Sequence, residues 1–136
     1  MTQKAELGKS GEDLACRYLV DKGYKIIERN FRKPWGELDI IAKNRDKTLV
    51  FVEVKTMRQF DDEFGNLSKS YPQLPDSNIE PEMQMTQAKI KKVKRTASLY
   101  AGSYPELVDD LKGWRIDLLA LTINGKNCVV KHYENI

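Results

Sequence analysis

The stretch GELDIIAKNRDKTLVFVEVKT, residues 36–56, decides the fold. It contains two runs of mainly apolar, β-branched character, 37–43 and 48–56, which the residues NRDK join as a short turn. Side chains alternate between the two faces of a strand. In the first run, alternation predicts one face with Glu37, Asp39 and Ile41 and the other with Leu38, Ile40 and Ala42. Two neighbouring strands are therefore predicted to carry acids where burial is expected.

The second run indicates the middle of a sheet. Alternation predicts one face with Leu49, Phe51, Glu53 and Lys55 and the other with Val50, Val52 and Val54. Because both faces are apolar as far as Glu53, we expect a central strand that is covered on both sides.

The sequence before this stretch predicts a helix and a strand. Apolar residues at helical spacing predict a helix over 8–22, which Gly23 ends, with Ser10 and Asp13 at the spacing of a capping box. The run YKIIERNFR, residues 24–32, predicts a strand. The three strands up to residue 56 therefore predict an antiparallel meander.

The sequence after the stretch completes the order of elements. Residues 57–81 hold three prolines and lack an apolar period, so we expect a long mobile loop. A helix is predicted over 82–101, and Asn124-Gly125 between two β-rich runs predicts a hairpin. The order of one helix, three strands, one helix and two strands predicts an α/β sandwich with a mixed sheet.

Length and composition set the class of protein. The chain has 136 residues, of which 40% are hydrophobic and 32% charged, and this predicts one soluble globular domain over 1–136. No run is apolar enough for a membrane span or a signal peptide, so we expect a cytoplasmic protein without membrane contact. Cys16 and Cys128 form no metal-binding pair, and we expect both to be packed thiols.

The acids on the two central strands need compensation, because burying a carboxylate without a partner is costly. Lys55 pairing with one acid is the structural alternative. A divalent cation is the functional one, and oxygen ligands favour Mg²⁺ or Mn²⁺ over zinc. Glu12 lies on the inner stripe of the first helix, where it is either an ordinary acid of a first helical turn or a further ligand.

A second chemical signal is the basic run KIKKVKR, residues 89–95. Such a run attracts a phosphate backbone, although a solvated helix face is the commoner explanation. Lys89 lies nearer the inner stripe than Lys91 or Lys92, so we expect Lys89 beside the acids. His132 is expected to be an ordinary strand residue. Trp35 either stacks on a base or packs beside its turn, and packing is the commoner outcome for a single aromatic residue.

These motifs resemble a known family. The blocks GEDLACRYLVDKGYKIIERNFR, GELDIIA, LVFVEVKT, TQAKIKKV and WRIDLLAL together resemble the YraN-like family. That family is placed in the PD-(D/E)XK nuclease superfamily, with a restriction-endonuclease-like fold, and is related to archaeal Holliday-junction resolvases. The resemblance implies a three-layer sandwich in which Asp39 and Glu53 hold the metal, Glu12 assists and Lys55 acts on the attacking water. Glu37 is an additional acid, and Leu38 replaces the proline of the motif.

The function implied is metal-dependent hydrolysis of phosphodiester bonds, on branched or otherwise distorted DNA. Candidate contacts to the nucleic-acid backbone are Lys89, Lys91, Lys92, Arg29, Arg32 and Lys33. A symmetric junction would favour a homodimer. Two alternatives remain open, namely a non-catalytic DNA-binding module and a protein-interaction domain that uses the 57–81 loop.

Overall fold

The computed structural model of the protein describes residues 3–58 and 86–136. Its elements in chain order are α1 (Gln3–Asp21), β1 (Lys25–Lys33), β2 (Gly36–Lys43), β3 (Leu49–Arg58), α2 (Gln87–Ser103), a 3-10 turn (Pro105–Leu107), β4 (Trp114–Asn124) and β5 (Asn127–Tyr133). The predicted order of helices and strands is confirmed. No helix in the described ranges is long and apolar enough to cross a membrane.

All five strands form one mixed sheet in the order β1-β2-β3-β4-β5. The first three pair antiparallel, as the meander prediction required, and β4 pairs parallel to β3 before β5 returns antiparallel. The central position of β3 explains why Val50, Phe51 and Val52 are all buried.

One helix covers each face of the sheet. Between α1 and the sheet lies a core that contains Ala15, Leu19, Tyr24, Ile40, Ala42, Val50, Val52, Leu119 and Leu121. Between α2 and the sheet lies a core that contains Phe31, Leu38, Ile41, Leu49, Phe51, Val93, Ala97, Tyr100, Ala101 and Ile116. Helix, sheet and helix therefore make three layers, and each helix buries its apolar stripe against one face.

The predicted alternation along β2 is wrong at Leu38. Leu38 packs in the α2-side core together with Ile41, while Ile40 packs on the α1 side. The reason lies in β1, where Asn30 adopts a left-handed backbone conformation with φ of 54°. The register pairs the residues before and after Asn30 with Ile40 and Leu38. The two strands therefore exchange faces together at Asp39, which lies between Leu38 and Ile40.

Several boundaries differ from the predicted ones. Helix α1 begins at Gln3, so Ser10 lies inside it and does not cap it. Strand β3 includes Met57 and Arg58, which pair with β4, so the segment predicted as a loop starts later than residue 57. The rest of that predicted loop lies outside the described residues, as do positions 82–85 of the second predicted helix.

Two predicted turns are present, one with a shift. Gly23 ends α1 in a left-handed conformation with φ of 96°, as its position predicts. In the β4–β5 hairpin Asn124 pairs with Asn127, so the turn residues are Gly125 and Lys126 and not Asn124-Gly125. Gly125 has φ of 58°, which a residue with a side chain adopts with difficulty.

Two glycines bring the helices close to the sheet. A Cβ atom at Gly11 of α1 would overlap the Thr56 hydroxyl of β3. A Cβ atom at Gly36 of β2 would overlap the Thr96 hydroxyl of α2. Because both contacts lie where the charged residues of β2 and β3 are found, the absent side chains set the distance between each helix and these residues.

A buried polar network joins β4 to the C-terminal segment. The Asp117 carboxylate is 0% exposed and accepts hydrogen bonds from Arg115 Nε at 2.9 Å, His132 Nε2 at 2.7 Å and the Asn135 backbone N–H at 3.0 Å. Burial favours its neutral form, but the hydrogen bonds from His132 and Arg115 outweigh burial and hold the pKa of Asp117 below its usual value. Asp117 is therefore an ionised and fully partnered structural acid.

The same network reaches the C-terminal end of α1. The Tyr18 hydroxyl lies 3.2 Å from His132 Nδ1, and Arg115 Nη2 donates to the Tyr24 hydroxyl at 3.0 Å. His132 lies in β5 as predicted, with its ring held between Asp117 and Tyr18. Helix α1, β4 and β5 are thereby fixed to one another by polar contacts.

We expect Asp117→Ala to lower the free energy of unfolding by about 3–5 kcal/mol, because Arg115 and His132 would lose a buried acceptor. Urea unfolding of the two proteins measures the difference. Asp110→Ala is the matched control, since Asp110 is exposed and should change stability by less than about 0.5 kcal/mol. Equal losses in both variants would show that the network is not stabilising.

Candidate functional site

The candidate site forms where β2 and β3 separate. Their backbone pairing ends at Ile40 and Val52, although both strands continue beyond it. There the backbone N–H of Val54 donates to Asp39 Oδ2 at 2.9 Å. A side-chain carboxylate therefore takes the place of the next backbone acceptor, and the gap between the strands opens a cleft on each side of Asp39.

Glu53 lies beside Asp39 and is buried, with 8% of its surface exposed. The pKa of Glu53 rises to about 7, first because burial penalises the charged form and second because the Asp39 carboxylate repels another negative charge. The positive charge of Lys89 opposes this rise. Two carboxyl groups and one ammonium group thus share a partly desolvated site.

The α2-side cleft contains this pair and has a volume of about 680 Å³. Its described lining is Lys33, Pro34, Trp35, Gly36, Glu37, Asp39, Glu53, Val54, Lys89, Lys92, Val93, Arg95 and Thr96. Lys89, Lys92 and Arg95 follow one another at three-residue spacing and so lie along one face of α2. The cleft therefore has acids at its floor and a row of cations along the helix.

The α1-side cleft lies on the other side of Asp39 and has a volume of about 700 Å³. Its described lining is Glu12, Asp13, Arg29, Asn30, Arg32, Asp39, Val54 and Thr56. Arg29 Nη2 lies 2.8 Å from Asp13 Oδ1 and 4.0 Å from Glu12 Oε2. Asp39 and Val54 line both clefts, so Asp39 is the acid common to them.

The structure places the predicted acids and Lys55 unequally. Asp39 and Glu53 lie side by side, whereas Glu12 faces Asp39 from the other side of the α1-side cleft. Glu37 is exposed, and its Oε2 lies 2.6 Å from Arg32 Nη1. Lys55 is half-buried on β3 and is not among the described residues that line either cleft.

The predicted basic residues divide between the two clefts. Lys89, Lys92 and Lys33 line the α2-side cleft, and Arg29 and Arg32 line the α1-side cleft. Lys91 is exposed on α2, outside the described lining of both clefts. Lys89 therefore lies beside the acids, as we expected from the sequence.

The sequence indicated Arg95 only as the last residue of the basic run 89–95, and it favoured packing over ligand contact for Trp35. Arg95 could have been found, because it lies three residues after Lys92 on the same helix face. Trp35 lines the α2-side cleft and is 56% exposed, although the sequence predicted that it would pack. Its exposure depends on the tertiary position of the β1–β2 turn, which no local pattern encodes.

The donor set can be compared with the requirements of a cation. No group of three or more Asp, Glu, His or Cys side chains converges among residues 3–58 and 86–136. Two carboxylates are nevertheless enough for Mg²⁺, which keeps several water ligands and is commonly bound by one or two carboxylates together with substrate phosphate. Burial and the neighbouring Asp39 carboxylate both make the charged form of Glu53 unfavourable and raise its pKa to about 7, and a divalent cation would offset that cost. The two oxygen donors therefore fit Mg²⁺ or Mn²⁺.

In the metal-free protein we expect Glu53→Gln to stabilise the fold more as pH rises. The folded pKa of about 7 exceeds the ordinary value of 4.5, so Glu53 favours folding below pH 4.5 and loses that contribution as pH rises to 7. The stability difference between Glu53→Gln and wild type should grow by about 2–3 kcal/mol between pH 5 and pH 8.

Urea unfolding in the presence of a chelator at both pH values measures this change. Glu106→Gln is the matched control, since Glu106 is exposed on the 3-10 turn and its substitution should leave the pH profile unchanged. A difference that stays constant with pH for Glu53→Gln would contradict a raised pKa of Glu53 in the folded protein.

Comparison with known proteins identifies the family. The family described as "Uncharacterised protein family UPF0102" matches residues 11–121. A UPF0102 protein of Thermodesulfovibrio yellowstonii is 39% identical over 136 residues, covering 97% of this chain and 96% of the relative. A UPF0102 protein of Syntrophomonas wolfei is 36% identical over 130 residues, covering 96% of each chain. The chain therefore belongs to UPF0102, the YraN-like family.

Proposed function

We propose that this protein is a metal-dependent endonuclease that hydrolyses phosphodiester bonds in branched or otherwise distorted DNA. The observation that carries the proposal is the pair of carboxylates, Asp39 and Glu53, at the floor of an open cleft that a row of cations borders. Glu53 is buried beside the half-buried Asp39, and a carboxylate buried next to a like charge is unfavourable for stability. Such pairs are typical of catalytic or metal-binding sites.

We also propose that the chain is a member of the PD-(D/E)XK superfamily with a restriction-endonuclease-like fold. Three features support this placement. The acids lie on adjacent antiparallel strands, the second acid is followed by Lys55 on the same strand, and α1 brings Glu12 to the side of Asp39. The sheet between two helices agrees with the architecture that the resemblance implies.

Asp39 and Glu53 would hold the Mg²⁺ or Mn²⁺ ion, with Glu12 as a further ligand across the α1-side cleft. When bound, such an ion polarises a scissile phosphate and lowers the pKa of a bound water. Glu37 would contribute only after release from Arg32, since the two side chains are paired in this structure.

The protein's own cations would bind and orient the substrate. Lys89 lies beside Glu53 and would attract the phosphate that enters the α2-side cleft. The family resemblance implies that Lys55 orients the attacking water. Because Lys55 lies outside the described lining of both clefts, it would do so only after its side chain turns toward Glu53. Because Asp39 lies between the two clefts, a DNA backbone that crosses it would meet Lys92 on one side and Arg29 on the other.

The cations that line the described clefts offer charge for phosphates, and phosphate contacts carry no sequence information. We therefore propose that the protein recognises the shape of DNA and not its base sequence. We also propose that it is cytoplasmic and that it binds symmetric junctions as a homodimer. A protein partner for the 57–81 segment is a further proposal from its sequence.

We expect Asp39→Asn and Glu53→Gln each to reduce metal-dependent cleavage of a labelled four-way junction by at least about a hundredfold. The reason is that each substitution removes one of the two carboxylates that would hold the ion. Gel assays with Mg²⁺ and with Mn²⁺ measure the rate, and Leu111→Ala serves as a control because Leu111 is 94% exposed and precedes β4 at the opposite end of the sheet.

The alternatives give different results in the same experiment. If wild type and both variants bind the junction equally and none cleaves any DNA tested, the non-catalytic DNA-binding module is the better description. If wild type shows neither cleavage nor measurable DNA binding, a protein-interaction domain is favoured.

A separate prediction concerns the cations of α2. We expect the double variant Lys92→Ala/Arg95→Ala to weaken DNA binding and to reduce the slope of log affinity against log salt concentration. The expected reduction is about 0.7–0.9 for each phosphate that the variant no longer neutralises. Binding titrations at several salt concentrations measure the slope. Lys112→Ala is the matched control, since Lys112 is exposed in the turn before β4, and an equal change in its slope would contradict cleft binding.

A further inference from the structure

An aromatic groove adjoins the α2-side cleft. Its described lining is Phe31, Lys33, Trp35, Leu99, Tyr100, Ser103 and Tyr104, and its volume is about 380 Å³. Trp35 and Lys33 line both the groove and the cleft. Three of the lining residues present large apolar surfaces to solvent, since Trp35 is 56%, Leu99 47% and Tyr104 41% exposed. The aromatic groove is therefore a lateral extension of the cleft that holds Asp39 and Glu53.

The indole of Trp35 is held on a short and restrained turn. Lys33 of β1 pairs directly with Gly36 of β2, so only Pro34 and Trp35 connect the two strands. Pro34 fixes its own backbone φ, which limits the freedom of the turn. The turn is also close to α2, because Gly36 leaves no space between its backbone and Thr96. The backbone that carries Trp35 is thus restrained, and the ring itself is exposed beside the aromatic groove.

Charge around this ring favours one class of ligand. Lys33 precedes the turn, and Lys92 and Arg95 line the same cleft as Trp35. An aromatic face beside several cations matches a nucleotide, whose base stacks on the ring while its phosphate is attracted to the cations. An apolar protein segment would use the aromatic groove but would leave these cations without a partner.

Base pairing decides which nucleotides can reach Trp35. In a duplex the faces of the bases are covered by their neighbours, so an exposed side chain on a rigid turn has access only to an unpaired or terminal base. We infer that Trp35 is a stacking platform for an unpaired base, and that the substrate of the adjacent acids carries single-stranded nucleotides next to the scissile phosphate. The inference rests on the proposed function for what happens at Asp39 and Glu53, whereas the stacking itself requires no catalysis.

Binding to two matched oligonucleotides tests the inference. One is a short fluorescein-labelled oligothymidylate, and the other has the same length and phosphates but abasic sugars throughout. Titrations are made with the full chain in the presence of a chelator, so that no cleavage occurs. Wild type should bind the oligothymidylate about 5- to 100-fold more tightly than the abasic strand, as expected for one stacked base.

Variants of Trp35 assign that preference to the ring. Trp35→Ala should bind the two strands with nearly equal affinity, and Trp35→Phe should recover part of the preference for bases. Leu111→Ala removes an apolar side chain that is 94% exposed at the other end of the sheet, and it should keep the full wild-type preference. Because both positions are exposed, circular dichroism should show an unchanged fold for each variant.

Two results would overturn the inference. One is equal wild-type affinity for the two strands, and the other is a base preference that survives in Trp35→Ala. Failure of the nuclease proposal has a different signature, since a Trp35-dependent base preference without metal-dependent cleavage would retain the stacking site and reject the enzyme. If cleavage stops in Asp39→Asn while Trp35→Ala keeps the wild-type base preference, the enzyme is retained and the stacking site is rejected.

Discussion

The hydrogen bond from the Val54 N–H to Asp39 Oδ2 is the contact on which the candidate site depends. Strands β2 and β3 cannot continue their ladder past Ile40 and Val52 because Asp39 lies where β1 and β2 exchange faces. The carboxylate satisfies the backbone donor that the separation would otherwise leave without a partner. One side chain thereby caps the end of the strand pairing and lies at the boundary between the two clefts.

The helices are fixed around this boundary by small residues. Gly11 lets α1 approach Thr56, and Gly36 lets α2 approach the start of β2 through Thr96. These two close contacts determine where Glu12 and Lys89 lie. Glu12 is next to Gly11 on α1, and Lys89 is two turns before Thr96 on α2. The charges on either side of Asp39 are thus positioned by packing, and their own mutual attraction is not required to bring them there.

The order of elements and the central place of β3 were predictable because hydrophobic periodicity is local. The proximity of the two acids was predictable in part, because the side chains of β3 alternate regularly from Leu49 to Val54. The predicted alternation along β2 failed at Leu38, because β1 and β2 exchange faces beside Asn30. The exposure of Trp35 and the contact between Asp117 and His132 were not predictable. Asp117 and His132 lie on different strands, and no local period encodes their contact.

Two buried acids in the same sheet have opposite electrostatic environments. Asp117 is surrounded by donors from Arg115, His132 and the C-terminal backbone, and its pKa is lowered despite burial. Glu53 is buried beside a second carboxylate, with Lys89 as the opposing cation, and its pKa is raised to about 7. This fold can therefore satisfy a buried acid completely where only stability is at stake. That Glu53 is buried beside a second carboxylate in an open cleft, without donors that satisfy it completely, is the physical reason why we propose that Asp39 and Glu53 act on a phosphate together with a cation.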